Sequence, residues 1–282
     1  MKKFLRKLAD EKAVLFWCLS LLVFMVIGYK SFSTVFLEKT GYTWDTSFLK
    51  LSLLLMVIIM MKEIYSGQFY FNFRGKNFFK ALMLAWPCLL FIGLNLSDVD
   101  FSKPVVLEGF VMLLVETAII GLYEEVLCRG LLVGHMMYHW KNDPKMIKKS
   151  VLCSSVIFGV LHIGNLFSGA GLIVTLIQVI YATVLGILFA AIYVRTRNIW
   201  AVALVHCLVD FSAFIITMFT VPQPIPVEPE AGAGSSLAFL LILLGSVIFI
   251  AWFAMFLIRK KKHDEIVKLW QETPLMQPSI AE

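Results

Sequence analysis

Glu124-Glu125-Val126-Leu127-Cys128-Arg129 sets two adjacent carboxylates and a guanidinium inside an otherwise apolar stretch. Each ionised side chain at bilayer depth costs ~2.5–3.5 kcal/mol on insertion scales, so the cluster marks a site. Two further polar groups share its character, Phe158-x-x-x-His162 and His206-x-x-x-Asp210. Carboxylates and imidazoles withdrawn from water are the groups of proton transfer, either at a reacting centre or along a carrier's path. Adjacent helical residues point ~100° apart, so Glu124 and Glu125 are expected to address different neighbours. Glu125 and Arg129 stand i, i+4 with the acid first, the favourable order for an ion pair. This gives Glu125–Arg129 a structural role and leaves Glu124 to face a cavity. His206 and Asp210 are also i, i+4 and share a face. Cys128, one turn from Glu124, reads as small apolar filler rather than a nucleophile. His135 and His139 mimic a metal-ligand spacing, but they flank Tyr138 and Trp140 and read as interface residues.

The elements that must position these groups are membrane helices. The chain is 60% hydrophobic and 16% charged, with a mean hydropathy of +0.84, more apolar surface than a soluble domain can hide. About eight spans are expected, near 13–36, 47–62, 79–97, 105–139, 150–166, 170–194, 199–220 and 237–258. The fourth is too long for one crossing at ~52 Å against a ~30 Å hydrocarbon core, so it must tilt, break or leave the membrane. Counting back from polar anchors at ~1.5 Å per residue puts Glu124 ~24 Å from Trp140 and His162 ~20 Å from Lys149. His206 and Asp210 lie ~12–18 Å from Asn198, so all four can meet at one level.

Charge sets the orientation. With the N-terminus in the cytosol, about twenty Lys and Arg fall inside and about three (Lys30, Lys39, Lys103) outside, which places both termini in the cytoplasm of a multi-pass cell-membrane protein. Lys50 and Arg129 are left within spans. The net charge of +6 is spread in short clusters between apolar segments, which excludes a nucleic-acid-binding face. The five cysteines all lie in apolar segments at unpaired spacing and imply no disulfide framework. Residues 1–104 read as three N-terminal spans and 105–220 as a four-span core. Residues 221–236, with four prolines, read as an extracytoplasmic linker, 237–258 as the last span, and 259–282 as a cytosolic tail ending in disorder.

Three ordered motifs on three spans resemble the CPBP family of intramembrane endopeptidases, which includes the type II CAAX prenyl proteases and the bacteriocin self-immunity "Abi" proteins. They are E-E-x-x-x-R at 124–129 followed by Gly130, F-x-x-x-H at 158–162 and H-x-x-x-D at 206–210. Gln178, Gly186 and the stretch from Tyr193 to Trp200 support them. The resemblance covers roughly residues 105–215. It implies an all-α polytopic membrane protein, about eight helices around a four-helix protease core. It also implies an endopeptidase in which Glu124, assisted by His162, activates a water. His206 and the residue one turn on would steady the oxyanion, a role suited to donors preorganised away from bulk water.

That last residue is often Asn in the family and is Asp210 here. An ionised aspartate cannot donate to an oxyanion, so it must carry a proton, orient His206 or bind a metal. Glutamate chemistry without a cofactor is the preferred reading. Zn²⁺ held by His162, His206, Asp210 and Glu124 is the alternative that the same residue types allow. The expected partners are the lipid bilayer and a peptide or lipidated protein: a CAAX-type tail, or a leader, pheromone or bacteriocin peptide. The rival class is a non-catalytic membrane scaffold or immunity factor, or a proton-coupled carrier using the same buried cluster.

Overall fold

Apolar segments become helices, and no strand occurs among the described residues of the computed structural model, which are 1–23, 44–64, 75–97, 99–102, 107–168, 170–215 and 237–271. In chain order the helices are α1 (Lys2–Glu11), α2 (Ala13–Val23), α3 (Trp44–Ile64), α4 (Phe78–Leu84), α5 (Cys88–Leu96), α6 (Leu107–Glu125), α7 (Gly134–His139), α8 (Met146–Leu161), α9 (Leu172–Thr196), α10 (Ile199–Phe214), α11 (Leu237–Leu257) and α12 (His263–Gln271). Between α6 and α7 the chain winds as a π-helix over Val126–Val133, and between α8 and α9 it tightens to 3₁₀ over His162–Ser168.

Met146–Leu166 and Leu172–Thr196 are long and apolar enough to cross a membrane. Joining each of two bent pairs into one span brings the number among the described residues to four, so the expected eight are not established. The physical reasons are local. The span expected at 79–97 breaks by 63° between α4 and α5. Pro87 stands at that break, where it supplies no backbone N–H and cannot continue a helix. Helix α6 carries Glu108, Glu116, Glu124 and Glu125, more charge than a lone lipid-facing helix tolerates. Helix α10 has 16 residues, short of the ~20 needed to span hydrocarbon. The second half of the span expected at 13–36, the linker at 221–236 and the tail beyond Gln271 lie outside the described residues. Within the over-long segment the helix changes winding between Leu107 and His139 and does not stop: all eight residues of the π-helix Val126–Val133 are buried.

The site elements are fixed at close quarters. Helices α6 and α10 touch where Gly121 stands, since a Cβ there would lie 2.8 Å from the Ala203 carbonyl oxygen and 3.0 Å from the Cys207 nitrogen. The α9–α10 corner turns at Arg197, a left-handed residue with φ of 51°, and Asn198 caps α10 by accepting from the Ala201 amide at 2.8 Å. Asn198 Nδ2 donates to the Lys76 carbonyl at 2.9 Å, and Asn77 Nδ2 to that of Thr196 at 3.1 Å, anchoring this corner to the segment before α4.

Two expectations at the edges change. His135 is fully buried and accepts from Trp17 Nε1 at 2.8 Å, so it joins α7 to α2 and is not an interfacial residue. Part of the expected tail also packs against the core. Helix α12 docks on α9 through Ile266 and Trp270, whose Nε1 donates to the Val194 carbonyl at 2.9 Å.

Gly121→Val would force α6 and α10 apart and is expected to cost ~1–3 kcal/mol or more in thermal unfolding of the detergent-purified protein. Gly93→Ala, in open space on α5, is expected to be neutral or slightly stabilising in the same measurement.

Candidate active site

At the centre of the site is a buried carboxylate with two donors. Glu125, at the end of α6 and fully buried, receives Arg129 Nη1 at 2.8 Å across one helical turn. Its same oxygen, Oε1, lies 2.8 Å from His206 Nδ1 on α10. A carboxylate held by a guanidinium only accepts, so Nδ1 carries the proton of that bond and Nε2 is left to face the reacting side.

Nε2 lies 3.7 Å from Glu124 Oε2 and 3.5 Å from Asp210 Oδ2. Glu124 and Glu125 therefore do address one neighbour, against expectation. Side chains ~100° apart can still meet one imidazole when it stands between them and presents a different nitrogen to each. The i, i+4 pairs Glu125–Arg129 and His206–Asp210 are both close, as their spacing predicts.

Phe158 explains its own place in the motif. The Arg129 guanidinium lies 4.4 Å from the centre of its ring and 5.4 Å from that of Phe189. The His162 and His206 rings meet Phe158 edge-on at 5.0 and 5.9 Å. Arg129 Nη2 also donates to the Gly186 carbonyl at 3.3 Å, where α9 passes so closely that a Cβ on Gly186 would sit 3.1 Å from the Phe158 ring and 3.4 Å from that same nitrogen.

Glu124 and His162 line one cavity of about 200 Å³, together with Tyr123, Cys128, Asn165 and an apolar wall of Leu21, Leu53, Leu127, Phe158 and Leu161. His162 begins the 3₁₀ turn with Nδ1 3.0 Å from the Phe158 carbonyl oxygen. Asn165, which sequence reasoning missed, lies on that turn and donates from Nδ2 to Gln178 Oε1 at 2.8 Å, tying the cavity wall to α9. Its signal was its place three residues after His162. Cys128 is buried in the cavity wall beside Glu124. The charge of Lys50, on α3, acts on both Glu116 and Asp210, giving a counter-charge to carboxylates on two other helices.

His162, His206, Asp210 and Glu124 are the side chains whose types suit zinc. Zinc takes at least three protein ligands at ~2.0–2.2 Å. No three His, Cys, Asp or Glu among the described residues are grouped to hold a metal ion.

Residues 106–212 match the family model described as type II CAAX prenyl endopeptidase Rce1-like. That segment is similar to this family. It runs from the start of α6 to near the end of α10 and so holds Glu124, Glu125, Arg129, His162, His206 and Asp210. The three motifs singled out in the sequence all lie within this matched segment, and over it the chain is similar to that family. No curated protein and no solved structure matches the chain.

Arg129→Met leaves the Glu125 carboxylate buried without its guanidinium and is expected to cost ~3–5 kcal/mol, read as lost membrane accumulation and a lower Tm in detergent. Glu124→Gln, on the half-buried cavity side, is expected to stay within ~1 kcal/mol of the parent protein.

Proposed function

We propose that the protein is an intramembrane endopeptidase that hydrolyses a peptide bond of a membrane-associated peptide or lipidated tail. The observation that carries this reading is the convergence of Glu124, His206 and Asp210 within 3.7 Å, beside a cavity that Glu124 shares with His162. Glu124 takes a proton from a water held between it and His162, and the hydroxide attacks the scissile carbonyl. The carbonyl oxygen gains negative charge and is met by Nε2–H of His206 in its doubly protonated, imidazolium form, held by the Nδ1–H bond to Glu125. The tetrahedral intermediate collapses as Glu124 returns its proton to the leaving amine. Asp210 acts through His206, orienting and balancing it, because an ionised carboxylate has no proton to offer an oxyanion.

In this reading residues 105–220 form the catalytic core and both termini face the cytosol, as does the mouth of the cavity. No metal takes part in any step. A CAAX-type tail and an unmodified leader or pheromone peptide both suit a cavity that opens at the cytosolic side of the membrane.

Glu124→Gln and His206→Ala are each expected to lower processing of membrane peptides by about 10²-fold or more, compared by mass spectrometry of peptides from cells carrying either variant or the parent. Unchanged profiles for both would defeat the protease reading. Asp210→Asn is expected to keep activity, and chelators to leave the parent enzyme unaffected. Inactivation by a chelator that Zn²⁺ reverses would overturn the metal-independent mechanism.

A further inference from the structure

The cavity that holds Glu124 and His162 is not walled by the Rce1-like segment alone. Leu21 comes from α2 and Leu53 from α3, both outside residues 106–212. Both helices are seated by contacts of their own. One turn before Leu21, Trp17 donates to His135, and Leu21 itself is only 5% exposed. On α3, Leu54, Val57, Met61 and Ile64 form a buried stripe at helical spacing. Leu53 lies ~100° around from Leu54, half-buried, and turns to the cavity instead of that stripe.

The size and lining of the cavity restrict what can enter. At about 200 Å³ it is smaller than the ~300–1,000 Å³ pockets that enclose whole ligands of drug size. It suits a side chain, with any longer lipid chain left outside. Leu21, Leu53, Leu127, Phe158 and Leu161 make its apolar part, while the polar part is Glu124, His162, Tyr123 and Asn165. A charged side chain placed against those leucines would lose its hydration without a partner, whereas an aliphatic or aromatic one would gain from burial.

Resting on the endopeptidase reading, we infer that Leu21 and Leu53 are specificity-determining residues: these two N-terminal helices supply the wall that limits the size of one apolar substrate side chain held beside the scissile bond. Enlarging the wall at Leu53 admits larger side chains, and filling it excludes all but small ones.

The test uses the full chain in cell membranes, with cleavage sites read by mass spectrometry of new peptide termini. Glu124→Gln removes the cuts that depend on the site. Leu53→Trp should lower cuts beside Leu, Met and Phe by about tenfold while sparing those beside Ala. Leu53→Ala should raise cuts beside Phe and Trp. Leu54→Ala, one residue on but in the packed stripe, should lose stability without changing the preference. If Glu124→Gln abolishes the cuts but both Leu53 variants keep the parent's preference, the specificity wall is wrong and the protease reading survives.

A second measurement does not need proteolysis. Cys128 lines the cavity and Cys207 does not, so N-ethylmaleimide labelling of Cys128 relative to Cys207 reads access to it. Leu53→Trp should slow that ratio about tenfold and Leu53→Ala should raise it. An unchanged ratio in both variants overturns the wall, even if Glu124→Gln has already defeated the protease reading.

Discussion

One oxygen of Glu125 organises the site. It takes hydrogen bonds from a guanidinium one turn away and from an imidazole on another helix, and so joins α6 to α10 at the level where Glu124 and Asp210 stand. Burying a carboxylate fully is strongly unfavourable unless it is paired and hydrogen-bonded, and here both partners are themselves fixed. Arg129 lies over Phe158 and donates to the Gly186 carbonyl, while His206 is set between the rings of Phe158 and Phe189. Remove the shared oxygen and the imidazole loses the bond that settles which nitrogen faces Glu124 and Asp210. The other oxygen, Oε2, is buried without a hydrogen-bond partner in the structure, so the whole attachment is carried by Oε1.

That arrangement also assigns the two neighbouring glutamates different work. Glu125 holds the histidine from behind through Nδ1, and Glu124 meets the same ring from the front through Nε2. A ring with two separate nitrogens allows adjacent acids to act on one residue without competing. Asp210 stands on the front side as well, where a carboxylate influences a histidine by charge and orientation.

Much of this was legible in the sequence, and what was not has a physical cause. The i, i+4 pairs were readable because helical spacing alone brings them together. The gathering of Glu124, His206 and Asp210, with His162 on the same cavity, followed from counting residues back to polar anchors. The bond from His206 to Glu125 was not legible, because it joins residues 81 apart and depends on how closely α6 and α10 approach at Gly121. The break before α5 was written in Pro87 and passed over because the flanking segments are uniformly apolar. The burial of His135 was hidden by its aromatic neighbours, which suggest an interface until Trp17 is seen to reach it from α2. Two to four spans pass by length and composition among the described residues, because α6 carries more charge and α10 is shorter than a lone span allows.

The π-helix after the glutamate pair has a consequence for how this chain tolerates changes in length. Over Val126–Val133 each turn holds more residues than an α-helix would, so the stretch is a spacer defined by its residue count as much as by its composition. Deleting one residue there would let the chain return to ordinary α winding with α7 near its present direction, because the wide turns are what take up the surplus residue. His135 would stay in reach of Trp17 and α2 would keep its anchor, whereas the same eight residues wound as α-helix would turn α7 by ~100° or more relative to the glutamates. Point substitutions among these small and aliphatic residues disturb packing locally, whereas an insertion leaves a surplus that turns everything that follows.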